Sequence, residues 1–153
     1  MSENNNSEAV GLFNYAHSYA SSAAELAKLE VDATHRDAPV NFLYFHAIEL
    51  YLKSFLVSKG HDLEKLRKYY GHKVRPLADL AKEELMELDR RAEEAINLMT
   101  ETDNVITSRY IRVGLHQRLP IAVYDDLCRS LHIQVEPSAY RNSGISRRPQ
   151  LWI

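Results

Sequence analysis

Three polar side chains interrupt the most apolar stretch of the chain. His46, Glu49 and Lys53 stand among Phe42, Leu43, Tyr44, Phe45, Ile48, Leu50, Leu52, Phe55 and Val57. Their spacings of three and four put them on one stripe of a helix. An unpaired buried charge is very costly, so Glu49 and Lys53 are expected to pair at i,i+4. Either the pair is structural, or the stripe with His46 faces a cleft and takes part in binding. Arginine and histidine also recur together: four residues separate Arg67 from His72, six separate Arg109 from His116, and three separate Arg112 from His116. The planar guanidinium suits phosphate because it donates two parallel hydrogen bonds. Histidine accepts and returns a proton near neutral pH. Arg109 and His116 are the candidate catalytic pair; Arg112, Arg67, His72, His46, Glu49 and Lys53 are candidate binding residues. On a helix Arg109 and His116 would share a face about 10 Å apart along the axis, whereas on a strand they would face opposite ways. His72, beside Gly71, is expected to bond free backbone groups at the start of the next helix; the alternative is that it joins Arg67 in binding phosphate. The seven histidines are scattered, and there is no HExxH, P-loop, GxGxxG or GxSxG pattern, so no metal and no cofactor is expected. The one cysteine, Cys128, reads as a small core residue on an apolar helix face.

These residues need elements to position them. A chain of 153 residues is one domain by length, and with a single cysteine it has no intramolecular disulfide and fits a reducing compartment. The N-terminus lacks a secretory pattern and the apolar stretch is too short and too charged to span a bilayer, so a cytoplasmic protein with no membrane partner is expected. Five glycines and five prolines argue against a turn-rich β protein. Residues 1–10 read as a flexible lead-in, 11–136 as a helical domain and 137–153 as a tail. Leu12, Tyr15, Ala16, Tyr19, Ala23, Leu26 and Ala27 form a first helical stripe. Asp37 and Pro39 suit the start of the next helix. Residues 42–57 are apolar nearly all round, as in a central buried helix, and Gly60 is a natural terminator. A short segment over 62–70 carries Leu63 and Leu66. A long third helix is expected from near Lys73, with Leu77, Leu80, Ala81, Leu85 and Leu88 as its stripe, continued by Ala92, Ile96 and Met99. Val105, Ile106, Thr107, Tyr110, Ile111 and Val113 favour an extended segment near 104–115. Pro120 then permits a last helix over about 121–133. Net charge is −2, but residues 105–153 carry seven arginines against three carboxylates. That asymmetry fits an anionic partner, or a basic face meeting an acidic face of the same chain.

The run from Asn41 to Leu56, with its A-x-E-x-x-L-K core at Ala47, Glu49, Leu52 and Lys53, is followed by Lys59-Gly60 and then by Gly71-His72-Lys73-Val74 with Leu77, Leu80 and Ala81. Over about residues 12–115 this resembles the HEPN superfamily of bacterial and archaeal helical proteins, with Arg109-Tyr110 falling where many members have an Arg-Tyr pair. The resemblance implies an all-α, up-and-down bundle of four to five helices, usually dimeric. Many members are metal-independent ribonucleases, often toxins of toxin–antitoxin or phage-defence systems, with an arginine and a histidine four to six residues apart on a late helix. It thus implies a homodimer, RNA or a nucleotide as ligand, and an antitoxin-like protein partner. In that chemistry the histidine handles a proton of the ribose 2′-hydroxyl or of the leaving oxygen, and the arginine stabilises the phosphorane. Other members lack the pair and are binding or dimerisation modules.

Overall fold

Alanine spacing decides how the first two helices meet. α1 (Glu3–Ala27) buries Ala9, Ala16, Ala20, Ala23 and Ala24, and its pairing with α2 (Asp37–Ser58) is the most extensive among the described helices. The close approach lets the buried Ser54 hydroxyl donate to the Ala9 carbonyl at 2.7 Å. A linker over residues 28–36 spans at most about 30 Å, less than the length of α1, so the pair is an antiparallel hairpin. The computed structural model describes residues 3–108 and 120–153. α3 (Leu63–Tyr70), α4 (Val74–Glu83), α5 (Arg90–Ser108) and α6 (Ile121–Ala139) complete the described elements, with no strand among them. The fold is all-α, and α2 is its centre, packing on α1, α6, α4 and α3.

α2 behaves as its composition demands: every residue over 51–58 is buried, including Lys53, Ser54 and Ser58. It opens with Asp37 and Pro39 in its first turn, where a carboxylate favours the positive end of the helix dipole and a proline forfeits no hydrogen bond. It closes at Gly60, whose φ of 100° allows the Gly60 and His61 N–H groups to cap the Val57 and Leu56 carbonyls at 3.0 Å each. Asp62 caps α3, accepting from the Lys65 N–H at 3.0 Å.

Four expectations are corrected. The long helix expected from Lys73 through Met99 is two helices, α4 and α5, which raises the described count to six. The break is a capping turn at Leu85, followed by Asp89, whose carboxylate accepts from the Ala92 N–H at 2.8 Å and starts α5. Gln134 of α6 holds the intervening loop through both the N–H and the C=O of Glu87, and Arg75 of α4 donates to Glu93 of α5 at 2.8 Å. Residues 104–108, expected to be extended, continue α5; residues 109–115 lie outside the described residues. α1 begins at Glu3, inside the expected lead-in, because Ala9 and Val10 already face the core. α6 runs past residue 133 to Ala139 and carries Pro137 in its final turns. The tail beyond it then folds back, with Trp152 only 8% exposed. No described helix is long and apolar enough to cross a membrane.

Candidate functional site

The polar stripe of α2 is completed from the turn between α3 and α4. Glu49 and Lys53 are both buried, and Lys53 Nζ donates to Glu49 Oε1 at 2.7 Å. His72, just before α4, directs Nδ1 at the same carboxylate, 3.0 Å from Oε1 and 3.1 Å from Oε2. His46 Nδ1 lies 3.9 Å from Oε2. Gly71 makes the approach of His72 feasible: it ends α3 with φ 54°, a left-handed conformation that costs glycine little. The His46 ring packs edge-on against Tyr19, 4.5 Å between centroids, and lies parallel to Phe42. Burial lowers the His46 pKa, with Lys53 and His72 adding to the effect, and the attraction of Glu49 does not offset it.

The exposures define the chemistry. Glu49 and Lys53 side chains are 7% and 6% exposed, whereas His72 is 74% exposed. A buried carboxylate therefore orients a solvent-facing imidazole. With His72 Nδ1–H donating to Glu49, Nε2 is left as a proton acceptor on the outer side. His72 does not cap α4, as had been expected: Lys73 is the N-cap and makes no side-chain cap bond. Arg67 does not join it; it is exposed on α3 and donates to Glu64 at 3.1 Å. Arg109, Arg112 and His116 lie outside the described residues. Among the described residues no group of three or more His, Cys, Asp or Glu side chains is placed to hold a metal ion.

A second polar centre escaped the sequence reading. Asp125 of α6 accepts from the Tyr44 hydroxyl and from the Trp152 indole N–H at 2.8 Å each, and from Arg129 Nε at 2.7 Å. Arg129 also donates to the Trp152 carbonyl at 2.7 Å and stacks over its ring. Burial opposes the Asp125 charge, but the hydrogen bonds from Arg129, Trp152 and Tyr44 outweigh it and hold its carboxyl below the usual range. Tyr44 is pushed the other way, by burial and by Asp125. The i,i+4 spacing of Asp125 and Arg129 was the one available signal; nothing local tied Trp152 to them.

No family model, no curated protein and no solved structure matches the chain.

Proposed function

We propose that this chain is a HEPN-like domain protein that cleaves RNA without a metal ion, as the toxin-type component of a toxin–antitoxin or phage-defence system. It works in the cytoplasm as a homodimer held in check by an antitoxin-like protein. The observation that carries the reading is the convergence of the resembling motif on one spot: Glu49 and Lys53 of the A-x-E-x-x-L-K helix and His72 of the G-H turn meet at a single buried carboxylate, with His72 open to solvent. In the proposed reaction His116 takes the proton of a ribose 2′-hydroxyl, and the 2′-oxygen attacks the adjacent phosphorus. Arg109 balances charge on the phosphorane while Arg112 binds phosphate. The bond to the 5′-oxygen breaks, leaving a 2′,3′-cyclic phosphate and a 5′-hydroxyl that takes its proton from His116 or solvent. Purified protein is incubated with RNA in excess chelator. Cleavage that His116→Ala reduces at least 10²-fold is expected, a typical loss for a missing acid–base group. No cleavage of any RNA, or cleavage indifferent to that substitution, overturns the reading.

The second reading is a non-catalytic nucleotide- or protein-binding helical module that acts as a dimer. It is favoured by the occupancy of Glu49: both its oxygens are already engaged by Lys53 and His72, an arrangement that stabilises the fold with no substrate present. Dimeric protein that binds RNA without cutting it is the expected outcome in that case.

A further inference from the structure

The returning tail forms an open concavity of about 450 Å³ with α1 and the end of α6. Asn14, Tyr140, Ile145, Arg147, Arg148, Pro149 and Gln150 line it. It shares no residue with the Glu49 cluster. Its walls are fixed at both ends: the Tyr140 hydroxyl donates to Asn14 Oδ1 at 2.8 Å, tying α6 to α1, and the tail is anchored beyond the cavity by Trp152 on Asp125. Just past α6 the chain turns on itself, the Ser143 N–H donating to the Tyr140 carbonyl at 3.1 Å. A volume of this order is within the range of small-molecule sites, and a preformed site loses less entropy on binding.

The polar chemistry of the lining has one sign. No carboxylate lines the cavity. Arg147 is exposed and has no ion pair among the described residues. Arg148 stacks on the Tyr140 ring, 5.1 Å to its centroid, and keeps only a long 3.4 Å contact with Glu136 outside the lining. With Asn14 Oδ1 occupied by Tyr140, the Asn14 amide N–H₂ is left as a donor. The polar groups facing the cavity are thus the unpaired Arg147 fork, the part of the Arg148 guanidinium that Glu136 does not engage, the Asn14 amide and the Gln150 carboxamide, whose Nε2 donates to the Arg148 carbonyl at 3.4 Å. Ile145 and Pro149 supply the apolar part of the wall.

We propose that this concavity binds a small phosphate monoester with an apolar or aromatic body. A carboxylate is saturated by one guanidinium fork, whereas the three terminal oxygens of a phosphate monoester engage both arginines and the Asn14 amide at once. The body of the ester then lies on Ile145 and Pro149.

The test is calorimetric titration of the full chain with phenyl phosphate, with benzoate and a short oligoribonucleotide lacking a terminal phosphate as comparison ligands. Arg147→Ala is the diagnostic variant, since an exposed and unpaired side chain is removed without disturbing the fold. Arg90→Ala, whose side chain is 92% exposed and touches only Glu94 across 3.3 Å, controls for a bare loss of positive charge. Saturable binding of phenyl phosphate, weakened at least ten-fold by Arg147→Ala, unchanged by Arg90→Ala and at least ten-fold tighter than benzoate, is expected. No saturable binding, benzoate bound as tightly, an equal loss in Arg90→Ala, or an oligoribonucleotide held through Arg147 while phenyl phosphate is not, overturns the proposal. The result is independent of whether RNA is cleaved.

Discussion

Glu49 is the residue on which the centre of the molecule turns. Its carboxylate gives up almost all its water, and a lone buried charge is not sustainable at that cost. Lys53 at 2.7 Å and His72 at 3.0 Å restore what is lost. Removing one member of such a pair is worse than removing both, because the survivor stays buried and uncompensated. Glu49→Gln and Lys53→Met are each expected to cost about 3–5 kcal/mol in urea denaturation, and the double variant less than their sum. Strictly additive losses would mean that the two side chains contribute separately, against the observed geometry. The pair was legible because four residues along an apolar helix bring two opposite charges to one face. The third partner was not. His72 reaches Glu49 across 23 positions of sequence through the turn at Gly71, and no local pattern encodes which buried acceptor a turn residue will find. Asp125 repeats the lesson: Arg129 is one helical turn away, but Trp152 arrives from the segment beyond α6, which read only as a tail.

At the scale of elements, the break between α4 and α5 shows how an uninterrupted stripe misleads. Leu85, Leu88, Ala92 and Ile96 keep a helical period across it, and the position that glycine commonly fills at a helix end is here a leucine. Leu85 adopts φ 69°, and its N–H and that of Met86 cap the carbonyls of Lys82 and Ala81 at 3.0 Å each. A left-handed non-glycine residue costs about 1–2 kcal/mol, and Leu85, 88% exposed, offsets little of it by burial. Leu85→Gly is therefore expected to stabilise the protein by about 1 kcal/mol, raising Tm by about 2–4 °C, while Leu85→Ala, still left-handed, gives no such gain. A lowered Tm for the glycine variant would show that the turn is not strained. The true start signal of α5 was local and readable: Asp89 three residues before Ala92 is an N-cap spacing. The loop beyond the Leu85 cap is held by Gln134 on Glu87, which only the packed α6 supplies. By contrast α2 and α3 followed the sequence closely, because Gly60, Asp62 and Gly71 each mark a boundary by their own backbone preference.

The molecule as a whole closes over its histidines. Part of the arginine excess of the C-terminal region meets acidic partners within the same chain, Arg129 on Asp125 and Arg148 on Glu136. His17 of α1 and His132 of α6 lie 5.4 Å apart between ring centroids, and Trp152 packs against both at 5.9 and 6.0 Å. His132 is 2% exposed, shares a hydrogen bond with the Tyr51 hydroxyl through Nδ1 at 3.0 Å, and has Glu136 at 3.4 Å from Nε2. His17 Nδ1 is buried without a partner. Burial lowers both pKa values, His17 lowers that of His132 further, and the pull of Glu136 does not reverse it; His46 on α2 is lowered by burial as well. At these three sites the folded state thus binds protons less readily than the unfolded chain, where a histidine titrates near 6.5. Stability is fully present above that value and is lost as pH falls below it, toward the lowered folded values. Urea midpoints are expected to be flat between pH 7 and 8 and to fall steadily from pH 6.5 to 5. His17→Phe removes a titrating group and an unpartnered buried nitrogen while keeping a ring against Trp152. Its stability should depend less steeply on pH in that window, by at most about 1.4 kcal/mol per pH unit for the one proton removed. Equal slopes in the variant and the parent would show that His17 does not couple protonation to the closing of the tail, and midpoints unchanged down to pH 5 would exclude all three histidines.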